Sequence, residues 1–268
     1  DTLSAPEVVM SLVLCARDGA IGTVTLNHAE KHNALSRALI DELVAALDQL
    51  HADKARAIVL RAAPGAAVWS AGHDVRELPD PGRDPLSYYD SLLTGIRKIQ
   101  YLPVPVIAMI EGAVWGGACD LAMSCDILIG APSASFTMTP AKIGVPYNVS
   151  GILHFMNILP VNIVREMFFT ARPMSAEQAR NLGVLNHLVP ADQLGTFTFE
   201  LAAQIARNSP LSIAAIKEQV RLLASAHPLS PIMFEHIQGL RQLVFDSGDY
   251  AEGIRAFWEK RPAVFSGQ

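Results

Sequence analysis

The chain has 268 residues, 50% of them hydrophobic and 18% charged, with a formal net charge of −5. This excludes a disordered chain and offers material for a sizeable core. The acidic balance, without blocks of like charge, argues against a nucleic-acid partner. Three cysteines (Cys15, Cys119, Cys125) lack C-x-x-C spacing, so neither a disulfide scaffold nor a zinc site is expected. The N-terminus shows no basic stretch leading into an apolar run. The most apolar region, 104–119, is interrupted by Pro105 and Glu111 and is too short to span a bilayer. The expectation is a cytoplasmic protein without a membrane partner.

In chain order, 8–15 (VVMSLVLC) and 20–26 (AIGTVTL) read as a β-hairpin turning at Asp18-Gly19. Leu39, Ile40, Leu43, Val44, Leu47 and Leu50 follow at helical spacing, with Ser36 as the N-cap. Strands are expected at 57–62 and 67–71, a helix over 86–101, and a strand at 104–110. A short helix over 117–124, opened by Gly116-Gly117, precedes a strand at 125–130. The order strand, strand, helix repeats, and the continuous apolar strands imply a sheet covered on both faces. Helices dominate after residue 150. Ser175 to Gln178 is a capping box, Gly183 a helix stop, and 184–189 one more strand. From 193 to 261 several helices are expected, broken near Ser209-Pro210, Pro228 to Pro231 and Ser247-Gly248.

Two segments carry chemical interest. Ser70-Ala71-Gly72-His73-Asp74 follows a strand and turns at glycine. Such a turn can leave backbone N–H groups facing a cleft, or be an ordinary loop. Glu111 to Ala118 leaves a strand and opens a helix through paired glycines. The free N–H groups and dipole of a helix start suit a developing oxyanion. Close helix–strand packing is the other reading. No Gly-Lys-Ser/Thr follows, so this is no P-loop.

Six stretches in order make the pair specific: KHNALS at 31–36, SAGHDVREL at 70–78, EGAVWGGACDLAMSCDILI at 111–129, FTMTPAKIGVPYN at 136–148, SAEQARNLGVLNHLV at 175–189 and FWEKRPAVF at 257–265. Over nearly its whole length the chain resembles the crotonase (enoyl-CoA hydratase/isomerase) superfamily. The resemblance implies an α/β fold, a ClpP-like spiral of ββα units, as a core over 1–200 carrying the acyl-CoA site. A C-terminal helical region over 201–268 would support a homotrimer or dimer of trimers. It also implies that the backbone N–H groups of His73 and Gly117 form an oxyanion hole for a thioester carbonyl. Coenzyme A, part of the substrate rather than a separate cofactor, would lie along Ala71, Gly72, His73, Asp74 and Val75. Lys260 would reach it, unless it is a plain surface lysine.

Related hydratases use two glutamates. Here the first place holds Asp120 and the second falls around Pro140, with no carboxylate. A two-carboxylate hydration is therefore unsupported. Thr139, Tyr147, Asn148, His73 and Asp120 remain, groups that orient rather than form a base pair. Decarboxylation of a malonyl-type thioester needs no base, because losing carbon dioxide makes the enolate directly. The local sequence most resembles the methylmalonyl-CoA decarboxylase branch, which implies conversion to propionyl-CoA. Tyr147 would then hold or rotate the departing carboxylate, or else anchor a loop. Thr139 would contact that carboxylate or pass a proton, or else cap the helix at Pro140. An isomerase, thioester hydrolase or hydratase reaction, and non-catalytic acyl-CoA binding, are the alternatives. The eight histidines show no metal-ligand spacing, and no metal is expected.

Overall fold

A computed structural model describes residues 11–224 and 230–266. The expected hairpin residues 8–10, and the expected break at Pro228, lie outside them. The chain opens with the antiparallel pair β1 (Val13–Asp18) and β2 (Ile21–Leu26), turning at Gly19 with φ 53°. Helix α1 (Arg37–Ala52) follows, and the Ser36 hydroxyl accepts from the Leu39 N–H at 3.3 Å. Next come β3 (Ala57–Ala62), β4 (Val68–Ser70) and α2 (Ser91–Tyr101). They are followed by β5 (Val106–Ile110), β6 (Ala113–Trp115) and α3 (Gly117–Met123). The third round is β7 (Ile127–Gly130), β8 (Ser135–Thr137) and α4 (Val149–Ile158). Beyond lie α5 (Val161–Thr170), β9 (Met174–Ser175), α6 (Ala176–Asn181) and β10 (His187–Leu188). The C-terminal helices are α7 (Leu194–Ala206), α8 (Pro210–Ala224), α9 (Pro231–Phe245) and α10 (Gly248–Trp258).

Each round places its first strand in a six-stranded sheet, ordered β1-β2-β3-β5-β7-β10. Its second strand joins a four-stranded sheet, ordered β4-β6-β8-β9. This is the expected spiral. Alternate residues of the large sheet enter different cores. Ile58, Leu60, Val106 and Ala108 face α1 and α2, whereas Ala57, Val59, Ile107 and Met109 face α7. The period-2 pleat thus explains why these strands are apolar throughout. Position 200 lies inside α7, whose Ala202 is fully buried in the second of these cores.

Several boundaries differ from expectation. The second strand of each round is only three residues long, so β6 and β8 were not foreseen. The strand expected at 184–189 shrinks to two residues. Helix α2 starts at Ser91, not 86, because Asp90 caps it: its Oδ1 accepts from the Leu92 N–H at 2.9 Å. The preceding loop is tied to distant helices instead. Gly82 N–H donates to the Phe245 carbonyl at 3.0 Å, and the Tyr250 hydroxyl donates to that of Pro79 at 2.9 Å. Arg241, 6% exposed, forks onto both Asp84 oxygens.

Arg241→Ala leaves Asp84 unpaired beside an apolar cluster of Leu86, Val145, Phe245 and Tyr250. Removing one partner of a fully buried pair costs about 3–5 kcal/mol. Because the Asp84 side chain keeps 26% exposure, the expected loss in urea unfolding is roughly 2 kcal/mol. An unchanged midpoint would show that the latch contributes nothing.

Candidate active site

The two loops read from sequence meet because their strands pair. β4 and β6 are parallel neighbours, with Val68 opposite Ala113 and Ser70 opposite Val114. β8 continues the sheet, with Trp115 opposite Thr137. Three successive crossings therefore end at one edge: Gly72-His73 after β4, Gly116-Gly117 after β6, and Thr139 after β8.

Glycine makes the approach possible. Gly72 has φ +84°, and a Cβ there would lie 2.3 Å from the Trp115 carbonyl oxygen and 3.0 Å from the Gly117 nitrogen. Gly116 has φ +53°, and its Cβ would meet the Thr139 hydroxyl oxygen at 2.9 Å. A Cβ on Gly117 would sit 3.5 Å from the His73 nitrogen. The two amides are thus close neighbours. Among the described residues neither N–H has an acceptor, since the bridge beside them uses Leu35 N–H to Gly72 and Asp74 N–H to Leu35. Gly117 is the first residue of α3, where helix N–H groups are unpaired by geometry.

A cleft of about 890 Å³ opens over these amides. Ala71, His73, Asp74, Val75, Gly117 and Thr139 lie on its wall, as do Tyr147 and, from beyond α10, Lys260. Gly72 does not; it lies beneath, where its role is the backbone crossing. The Asn148 side chain also stays off the wall. It caps α4, accepting from the Gly151 N–H at 2.6 Å. Thr139 makes no capping bond to the 3-10 turn at Pro140–Ile143, so its hydroxyl is not spent as a cap.

The carboxylates are engaged. Asp74 is bound by Arg76, whose hydrogen bonds lower its carboxyl below the usual range despite burial. Asp120 is 1% exposed and holds two partners: the Tyr147 hydroxyl donates to Oδ2 at 2.8 Å, and His154 Nδ1 lies 2.7 Å from Oδ1. Burial, and then the Asp120 charge, raise the Tyr147 phenol well above its usual range. Cys119, beside Asp120, gives its Sγ proton to the Val114 carbonyl, and burial pushes its thiol up to about 12. It is no thiolate nucleophile at neutral pH.

Residue 16 to residue 268 match the model of the enoyl-CoA hydratase/isomerase family. The chain belongs to that family. Among curated relatives of this hydratase/isomerase-family chain, the methylmalonyl-CoA decarboxylase of Escherichia coli K12 is 47% identical over 92% of this chain and 95% of its own length. A carnitinyl-CoA dehydratase of Salmonella enteritidis is 32% identical, over 94% and 97%. A solved structure of methylmalonyl-CoA decarboxylase with 2-nitronate-propionyl-CoA superposes with a TM-score of 0.94, at 46% identity, over 96% of this chain and 99% of that one.

Two of the histidines are held by distant carboxylates. His154 reaches Asp120 from α4, and the His73 ring meets Asp90, its Nε2 3.0 Å from Oδ2. Neither pairing leaves a local signal, because 34 and 17 residues separate the partners.

Proposed function

We propose that this chain decarboxylates methylmalonyl-CoA to propionyl-CoA through a thioester enolate. One observation carries the reading. Two unpaired amides converge at a cleft whose wall, among the described residues, offers no unengaged carboxylate. Hydration needs an acid and a base acting on water. Decarboxylation needs an oxyanion site and a way to turn one carboxylate. The names of the similar proteins support the choice.

The coenzyme lies along Ala71 to Val75 in this reading, with Lys260 at its far end. The thioester oxygen accepts from His73 and Gly117. Thr139, and Tyr147 once its O–H turns from Asp120 Oδ2 to the substrate, donate to the substrate carboxylate and hold it out of the thioester plane, so that the breaking bond overlaps the carbonyl π system. As the carbon–carbon bond breaks, its electron pair enters the enolate and carbon dioxide leaves. One proton then adds to the α-carbon, directly from Thr139 or through a water beside it, and solvent entering the open cleft returns the proton to that oxygen. Donors aimed at a forming oxyanion are worth about 10²–10³ in turnover each.

The helices after residue 200 supply the assembly surface of a trimer or dimer of trimers. Leu211, Leu223, Ile232 and Leu243 support this, as they lie on α8 and α9 more than 70% exposed. Among the described residues no helix is long and apolar enough to cross a membrane, and we place the protein in the cytoplasm.

Purified protein given methylmalonyl-, malonyl-, ethylmalonyl- and crotonyl-CoA should release carbon dioxide from the first and form propionyl-CoA. Crotonyl-CoA should not gain a water mass. Hydration of crotonyl-CoA without carbon dioxide release from the malonyl thioesters would return the chain to the hydratases.

A further inference from the structure

The ring of His73 faces two acceptors. Nδ1 lies 3.1 Å from the Asp74 carbonyl oxygen, and Nε2 lies 3.0 Å from Asp90 Oδ2. A carbonyl and a carboxylate both accept and neither donates. A neutral imidazole has one N–H, so one contact would set lone pair against lone pair. Only the doubly protonated ring satisfies both. We propose that Asp90 keeps His73 as an imidazolium, and that this charged strut positions the His73 amide in the oxyanion hole.

The same carboxylate reaches the second donor. Asp90 Oδ1 caps α2 through the Leu92 N–H. Leu92 covers Gly117 so closely that a Cβ there would meet its Cδ2 at 2.5 Å. One side chain thus ties the loop bearing the first amide to the helix packed on the second. Asp90 is a positioning residue for both.

The charged surroundings favour the cation. Burial alone lowers the His73 ring, but the hydrogen bond and charge of Asp90, the Asp74 carbonyl and the Glu77 charge outweigh it, and the net direction is up. The other titratable or charged groups lining the cleft are Lys31 and His32 at a 3-10 turn over Ala29–Lys31, Arg76 paired to Asp74, Lys142, Lys260, and Tyr147, whose hydroxyl donates to Asp120. The Arg76 charge is spent on Asp74. A raised histidine stabilises the fold fully below its ordinary value of about 6.5. That contribution fades as pH rises through the raised value.

The test is an NMR titration of protein labelled with 13C/15N-histidine. The His73 ring is assigned by its loss in His73→Asn, which keeps the amide. In the wild type the ring should titrate above 6.5. In Asp90→Asn it should titrate below it, because the amide can cap α2 through its oxygen while donating to a neutral Nε2. Turnover of methylmalonyl-CoA, whose interpretation rests on the proposed decarboxylation, should fall on the alkaline side. Asp90→Asn should lower kcat roughly tenfold with KM little changed, and move that limb to lower pH. A merely structural role would reduce the folded fraction and leave the limb in place. Where Asp90→Asn does not fold, Asp90→Ser keeps a cap and removes the ring contact, with the same shift expected. A wild-type ring neutral at pH 6, or a limb unmoved in the folded variant, overturns the strut. A raised ring pKa in a protein that leaves methylmalonyl-CoA intact upholds the imidazolium and defeats the decarboxylase reading.

Discussion

Gly72→Ala should lose most of its turnover while retaining a folded core. Its residue has φ +84°, where any side chain is strained by about 1–2 kcal/mol. Its Cβ would stand 2.3 Å from the Trp115 carbonyl oxygen and 3.0 Å from the Gly117 nitrogen. Both obstacles are main chain and cannot swing aside as a side-chain tip can. The two loops must separate, and the amides of His73 and Gly117 separate with them. A misplacement of about 1 Å costs on the order of 10²-fold, and loss of one oxyanion donor about 10²–10³. Steady-state kinetics should show the fall in kcat, and thermal melting should show a reduced but cooperative transition. A folded variant with wild-type kcat would mean that the crossing does not set the amide geometry.

Tyr147→Phe should lower kcat by roughly 10²-fold with a smaller change in KM, because in the proposed mechanism it removes the group that orients the departing carboxylate. The fold tolerates the change sterically, since the ring packs edge-on against Phe155 and Phe168. Asp120 loses one of its two partners but keeps His154, so some stability is lost as well. Measuring carbon dioxide release alongside thermal unfolding separates the two effects. Unaltered carbon dioxide release by Tyr147→Phe removes Tyr147 from the mechanism. Asp120→Asn serves as a companion. It retains an acceptor for Tyr147, so a loss confined to Tyr147→Phe assigns the effect to the phenol itself.

What the chain reveals by itself is local or periodic. The spacing of Leu39, Ile40, Leu43, Leu47 and Leu50 writes α1 into the sequence, and Ser36 marks its start. The run 57–62 reads as a strand from its apolar branched residues, and Ser175 to Gln178 is a capping box on sight. The glycines at 72, 116 and 117 identify where backbone must turn or approach closely, and the order of motifs identifies the family.

Tertiary structure decided what depends on partners far along the chain. β6 and β8 are three residues each, too short for periodicity, and exist because parallel neighbours satisfy their backbone groups. The late start of α2 follows from Asp90 and from a loop held by Arg241 and Tyr250, more than 150 residues away. Only the pairing of β4 with β6 brings the His73 and Gly117 amides to one opening. Only packing sets His154 on Asp120 and Asp90 on His73. A sequence shows which groups can donate or accept; which of them meet is fixed by hydrogen-bond ladders and burial, whose energies belong to pairs that no single stretch contains.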